Sequence, residues 1–215
     1  GMRRGLFVTF EGSEGCGKST QIGRLAAWLH ETSRPCLTTR EPGGTAAGDR
    51  MRDLLQHAPE GRALVPEAEL FLFAASRAQH VREVIRPALE RGEVVISDRF
   101  HDSTSVYQGV ARQLDPQMTR TVNRFATGET VPDVTFLLDM DAGDAHRRIA
   151  KRDQPADRME GEPLAFYEAV RRGYLLAAAD EPARFVVLDA TRPEEPLAAQ
   201  IRGILSEKFH GFFAR

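Results

Sequence analysis

Residues 11–20 read EGSEGCGKST, with glycines at 12, 15 and 17 and the triplet Lys18-Ser19-Thr20 directly behind them. Glycines at that spacing let the backbone curl until successive N–H groups face one point, and a helix opening at the lysine adds its positive end. Such a cradle holds phosphate. Lys18 reaches the β- and γ-phosphates of ATP and the Ser19 hydroxyl holds Mg²⁺. Ser13, Glu14, Cys16 and Thr20 complete the loop. The apolar run before it, LFVTF, and the amphipathic pattern after it supply the strand and helix that a phosphate-binding loop requires. The loop alone names no reaction.

Further chemistry gathers where apolar runs end, which is where ligands collect in an open α/β sheet. After the second run comes REPGGT (40–45), a tight turn in which Glu41-Pro42 is either cis or trans. After the third comes Asp98-Arg99-Phe100, then Ser103, Thr104, Tyr107 and Gln108. Asp98 is a candidate metal ligand beside Ser19 and Glu14. A guanidinium at 99 can fork between two phosphate oxygens where an ammonium cannot, although Asp98-Arg99 also reads as a structural ion pair at a strand end. After the fourth comes Asp139, then Arg147, Arg148, Lys151 and Arg152 leading into KRDQPADRMEGEP (151–163). That stretch is charged, poor in apolar residues and broken by two prolines, the composition of a mobile loop.

The elements that must position these groups alternate. Strand-like runs fall at 6–10, 36–39, 94–97, 134–140 and 185–188, with helical periods at 19–31, 47–57, 67–91, 116–127, 144–152, 163–180 and 194–209. Continuous apolar runs such as VVI and TFLLDM suit strands buried on both faces, hence α/β layers with a parallel sheet between helices. Pro87 bends or ends the third helix near Arg86. The 215 residues fit a single domain with no repeat or linker.

Composition narrows the function classes. A formal net charge of −2 argues against bulk electrostatic binding of nucleic acid or anionic membrane. No apolar run approaches a membrane span, and the N-terminus lacks a signal peptide's apolar core. Cys16 and Cys36 make no metal or disulfide pattern, which suits a reducing cytoplasm. The six histidines never fall at metal-ligand spacing, so no histidine-bound metal is expected. Gly1 before Met2 reads as an expression scar.

Five motifs in order, EGSEGCGKST, TREPGGT, LFAASRAQHV (72–81), SDRFHDSTSVYQG and LDATRP, resemble those of the thymidylate kinases, the nucleoside monophosphate kinases that phosphorylate dTMP. The resemblance implies a P-loop nucleoside monophosphate kinase fold with a five-stranded parallel sheet and a short lid at 151–163. It implies Mg²⁺-dependent phosphoryl transfer from ATP to dTMP, a step in dTTP biosynthesis, by a cytoplasmic homodimer. Catalytic roles fall to Lys18, Arg99, Arg152 and Arg158. The ATP site takes in Gly12 to Thr20, Arg148 and Arg192, the last in the segment that borders adenine. The dTMP site takes in Glu14, Glu41, Pro42, Arg52, Phe73, Ser76, Arg77, Arg99, Ser103, Thr104, Tyr107 and Gln108.

Within that set the resemblance has Phe73 stack on thymine, Arg77 bond its carbonyl edge, and Ser76 and Gln108 complete the polar contacts, which physically favours carbonyl acceptors over cytosine's amino donor. Glu14, Tyr107, Arg52 and Arg77 hold sugar and acceptor phosphate, Glu14 facing the deoxyribose hydroxyl or a metal-bound water. Phe71 is read as core, and Phe73 as ligand in preference to core. No basic residue lies between Gly12 and Lys18, so the lid must supply positive charge, as in the bacterial type. The lid departs from the family by lacking glycine after its first arginine, leaving open whether Arg152 or Arg158 acts on the phosphates. Cys16 stands where the family has alanine, a small filler whose thiol, at a helix start, is a candidate for a lowered pKa and oxidation. The apolar face of 67–91 is either a dimer surface or core. Other acceptors, another pyrimidine monophosphate above all, and a nucleotide-dependent binding switch stand as rival readings.

Overall fold

The computed structural model describes residues 4–153 and 155–214, so of the expected lid Gln154 lies outside it, as do residues 1–3. Five strands, β1 (Leu6–Glu11), β2 (Cys36–Arg40), β3 (Val94–Asp98), β4 (Val134–Asp139) and β5 (Phe185–Asp189), form one sheet in the order β2-β3-β1-β4-β5. All neighbouring pairs are parallel. The helices are α1 (Lys18–Glu31), α2 (Ala46–Gln56), α3 (Pro66–His80), α4 (Arg86–Glu90), α5 (His101–Thr104), α6 (Pro116–Thr127), α7 (Ala142–Ala150), α8 (Leu164–Asp180), α9 (Glu194–Lys208) and α10 (His210–Phe213). Among the described residues, no helix is long and apolar enough to cross a membrane.

The alternation of side chains along β1, with both faces covered, explains why all six of its residues are buried and four of them are apolar. Leu6, Val8 and Phe10 join Ile22, Leu25 and Leu29 of α1 and Leu197, Ile201 and Leu205 of α9 in one core. Phe7 points the other way, into a cluster with Val81, Ile85, Leu89, Val95 and Phe100. On that second face Thr9 meets Thr135 of β4 through a buried hydroxyl pair at 2.7 Å. The next residue on the same face is Glu11, buried at the carboxyl end of the strand.

Two helical stretches depart from the expected pattern. Of the two outcomes expected at Pro87, a bend or an end near Arg86, the end does not occur, because helical residues run through to Glu90. Instead the turn Val81–Ile85 widens to a π segment, which accommodates the missing N–H and the ring of Pro87. After β3, residues outside every expected helical period are helical, α5 continuing into a second π segment, Ser105–Ala111. That stretch, HDSTSVYQGVA, has no helical apolar period, and it holds Ser103, Thr104, Tyr107 and Gln108 in fixed register at the strand ends.

Candidate active site

The glycine loop closes tightly between β1 and α1. Gly12 has φ +135°, and a Cβ there would sit 2.6 Å from the Leu138 carbonyl oxygen, while Gly17 caps α1 at φ +92°. The Lys18 ammonium donates to the carbonyls of Gly12 at 3.2 Å and Ser13 at 3.4 Å, and Ser19 is exposed at the helix start. The Cys16 thiol donates to Ser13 O at 2.8 Å inside the loop, and burial pushes its pKa up. The expected lowering by the helix end is therefore overturned, and Cys16 acts as filler.

A cavity of about 240 Å³ opens where this loop faces the ends of β2 and β3. Glu14, Gly15, Gly17, Lys18, Ser19, Thr20, Glu41, Arg52, Asp98, Arg99 and Arg152, all expected site residues, line it. So do Arg40, Gln56, Asp157 and Glu160, which the sequence did not single out. Five cations, Lys18, Arg40, Arg52, Arg99 and Arg152, thus ring a space large enough for phosphate groups. The same lining carries five carboxylates, Glu14, Glu41, Asp98, Asp157 and Glu160. Burial and the neighbouring Arg40 pull Arg52 below its ordinary pKa, against the opposing pull of Asp98 and Asp157.

Arg99 is the most tightly specified of these. Its backbone takes φ +72°, left-handed for a residue that is not glycine, with its N–H bonded to Phe10 O at 3.0 Å and its carbonyl accepting from Ser97 Oγ at 2.7 Å. Nη2 donates to Glu14 at 3.0 Å, Nη1 to Ser103 Oγ at 3.2 Å and to Tyr174 Oη at 3.1 Å, and the guanidinium carbon lies 5.2 Å from the Tyr107 ring centroid. Burial opposes its charge, but Tyr107, Glu14, Tyr174 and Asp98 together hold it well above the ordinary value. The adjoining Asp98 keeps Oδ1 buried with no hydrogen-bond partner among the described residues. Among the described residues the ion pairs of Arg99 are with Glu11 and Glu14 and none is with Asp98, although the Asp98 charge helps keep the guanidinium protonated.

Some expected roles move. Glu14 accepts Arg99 on Oε1 and the Tyr107 hydroxyl on both oxygens, at 3.1 and 3.0 Å, so both of its oxygens are engaged by this chain. Arg77 lies outside the phosphate cavity, 1 % exposed. Its Nε donates to Glu41 at 2.7 Å, Nη1 to Thr104 and Asn123, and Nη2 to Phe100 O, leaving one Nη2 donor of its five. It cannot hold the acceptor phosphate from there. Glu41 has its second oxygen on His80 Nδ1 at 2.7 Å, and His80 meets Thr39 through Nε2 at 2.6 Å. Burial disfavours its charge, but Arg77 and His80 keep its pKa below the ordinary value. Its part is to fix the turn after β2, in which Glu41-Pro42 is cis. Ser76 Oγ accepts from Gly43 N at 2.9 Å in the same turn.

Phe73 is half-buried one helical turn before Arg77 on the same side of α3. Gln108 is buried with Nε2 lacking a hydrogen-bond partner among the described residues. Phe71 overturns its expected place in the core, being 61 % exposed. Arg148 and Arg192 are both exposed and outside the cavity, Arg192 bonded to Gln200. Arg158 is also outside: its side chain pairs with buried Glu69 of α3, and its N–H bonds Gln56 O at 3.1 Å. Of the two lid arginines only Arg152 reaches the phosphate cavity, held there by Glu160 at 2.9 Å.

A family model described as Thymidylate kinase matches residues 10–201. A thymidylate kinase of Deinococcus radiodurans is 49 % identical over 97 % of this chain and 100 % of its own length. One from Desulfosudis oleivorans is 48 % identical over 91 % of this chain and 94 % of its own, and one from Bifidobacterium longum is 48 % identical over 94 % and 98 %. Fold, loop and full-length likeness agree, and the chain belongs to the thymidylate kinase family.

Proposed function

We propose that this chain transfers the γ-phosphoryl group of ATP to dTMP, giving dTDP and ADP. The ring of five cations between the glycine loop and the ends of β2 and β3 is the observation that carries the reading. A monoester phosphate with a second pKa near 6 is already largely dianionic at pH 7, so its oxygen attacks without a general base. What the protein supplies is alignment of two mutually repelling phosphate ends and positive charge on the transferring oxygens. Lys18 holds the donor's phosphates from one side, Arg52 the acceptor's from the other, and Arg99 forks between them. Arg152 closes over the transferring group from the lid. Gln108 Nε2 and the remaining Nη2 donor of Arg77 read the carbonyl edge of thymine, with Phe73 against its face.

The donor set fits Mg²⁺, an ion content with one or two protein oxygens, the substrate phosphates and water. Asp98, with its unpartnered carboxylate oxygen, and the exposed hydroxyl of Ser19 would hold it. When bound it neutralises charge on the β- and γ-oxygens. The chain works as one domain in the cytoplasm, a setting that its free thiols Cys16 and Cys36 suit.

Homodimerisation draws support from apolar side chains left outside on two helices that pack together, Phe71 of α3 and Met118 and Phe125 of α6, 61, 59 and 88 % exposed. Phe125→Asp is expected to give a monomer in sedimentation where the unaltered chain sediments as a dimer; unchanged sedimentation would count against this surface. The activity itself is tested by ADP release with dTMP, dUMP, dCMP and AMP as acceptors. dTMP is expected to be the preferred acceptor, with dCMP and AMP near background. ATP hydrolysis indifferent to dTMP would favour a nucleotide switch.

A further inference from the structure

Glu11, at the end of β1, is 0 % exposed and lies outside the cavity, yet every group it holds bears on Arg99. Its Oε1 accepts the backbone N–H of Phe100 at 2.8 Å, the residue directly after the arginine. Its Oε2 accepts the hydroxyls of Ser103 and Tyr174, both at 2.6 Å. Those two hydroxyl oxygens are the ones to which Arg99 Nη1 donates, and Nη1 itself is 3.9 Å from Oε2. We propose that Glu11 is the positioning residue of Arg99: it pins the left-handed backbone at 99 through Phe100 and turns the Ser103 and Tyr174 hydroxyls to receive the guanidinium. The assignment rests on the reading of Arg99 as the bridge between donor and acceptor phosphates.

Hydrogen-bond polarity gives the argument its force. A hydroxyl has one hydrogen, and giving it to the carboxylate leaves the oxygen's lone pairs for an arginine N–H. An ionised carboxylate only accepts, so it enforces that direction on both hydroxyls at once. A glutamine of the same shape cannot do so. With its oxygen on the Phe100 N–H, its amide meets the hydroxyls as a donor and reverses them. With the amide turned the other way, donor faces donor at Phe100. Burying a charged carboxylate is costly, and a strand end that needed only packing would not carry one. Tyr174 adds a link across the fold, because it sits on α8, the helix that follows the lid.

The test compares Glu11→Gln and Tyr174→Phe, each alone and combined with Arg99→Ala, by steady-state kinetics and thermal melting. Glu11→Gln is expected to lower kcat by roughly 10²-fold with little change in the KM for dTMP, the size of effect that a small misplacement of a catalytic group produces. Tyr174→Phe follows in the same direction and serves should the glutamine variant fold poorly. Neither adds to Arg99→Ala: each double variant stays within about twofold of Arg99→Ala alone, the non-additivity of groups that act as one unit. Thr9→Val, which removes a buried hydroxyl pair on the same strand face, is expected to lower the melting temperature and leave kcat unchanged. Wild-type kcat in Glu11→Gln beside an impaired Arg99→Ala would overturn the positioning role alone, as would losses that multiply in the double variants. Normal turnover by Arg99→Ala would overturn the bridging role and the positioning role with it.

Discussion

Glu11 shows how a side chain can be unfavourable to the fold and useful to the site. Burial pushes its pKa up from 4.5 to about 7, Asp102 adding to the rise and Arg99 opposing it. A carboxyl that binds its proton more tightly when folded costs nothing below its unfolded value and costs progressively more from there up to its folded value. Glu11 therefore lowers stability as pH rises from about 4.5 to about 7, where half of it is charged in the folded chain, and the loss levels off above that. Glu41 and Asp102, whose folded pKa values lie below the ordinary ones, act in the opposite sense and at lower pH. His101, held down by burial, favours the fold as pH rises toward 6.5, so the bare stability curve mixes these terms. The difference between the chain and Glu11→Gln isolates one of them. The melting temperature of the chain relative to that variant is expected to fall between about pH 5 and pH 7, and a constant difference would contradict the shift. Lys18, Ser19 and Arg99 were legible in the sequence because motif and strand-end position announce them, whereas Arg52, in the middle of α2, entered only through the family resemblance. Glu11, Tyr174 and Asn123 were not, since their roles exist only through contacts with residues many positions away. The signal for Glu11 was a carboxylate closing an otherwise apolar strand.

The lid and the segment after β3 decide how these residues meet. Arg158 ties the lid to α3 through Glu69, and Arg112, at the end of the second π segment, joins Glu69 at 3.3 Å and Glu162 at 2.6 Å. This group of charges holds one side of the lid against the body while Arg152 reaches over the phosphate cavity from the other. Arg152→Ala is accordingly expected to cut kcat by about 10²- to 10³-fold, as for other donors aimed at transition-state charge. Arg158→Ala should act mainly on stability, costing roughly 1–3 kcal/mol by leaving Glu69 under-satisfied. The two single variants, compared by kcat and by melting, check the division, and a larger kcat loss in Arg158→Ala would reverse it. Most strands and helices were legible from apolar period. The helical stretch after β3 was missed because most of its residues are small or polar, so that no stripe marks it. The lid arginines could be found by composition but not ranked, because their ranking depends on which one Glu69 has already taken.

Across the whole molecule, the parallel order β2-β3-β1-β4-β5 brings the glycine loop and the REPGG turn to one end of the sheet, with Asp98 and Arg99 between them. Phe10 pairs with Asp98 on one side of β3 and Arg40 with Asp98 on the other, so the proposed donor and acceptor halves lie on either side of a single strand end. That arrangement follows from both faces of the sheet being buried, which the apolar runs displayed. The exposed faces of α3 and α6 were not legible, because an apolar helix stripe looks the same whether it meets its own core or a second subunit. On the proposed reading Arg99 is where the two halves join, and its removal tests that reading most directly. With ATP and dTMP saturating, Arg99→Ala is predicted to lower kcat by about 10²- to 10³-fold while both KM values stay within a few-fold. Turnover within about twofold of the unaltered chain would contradict it.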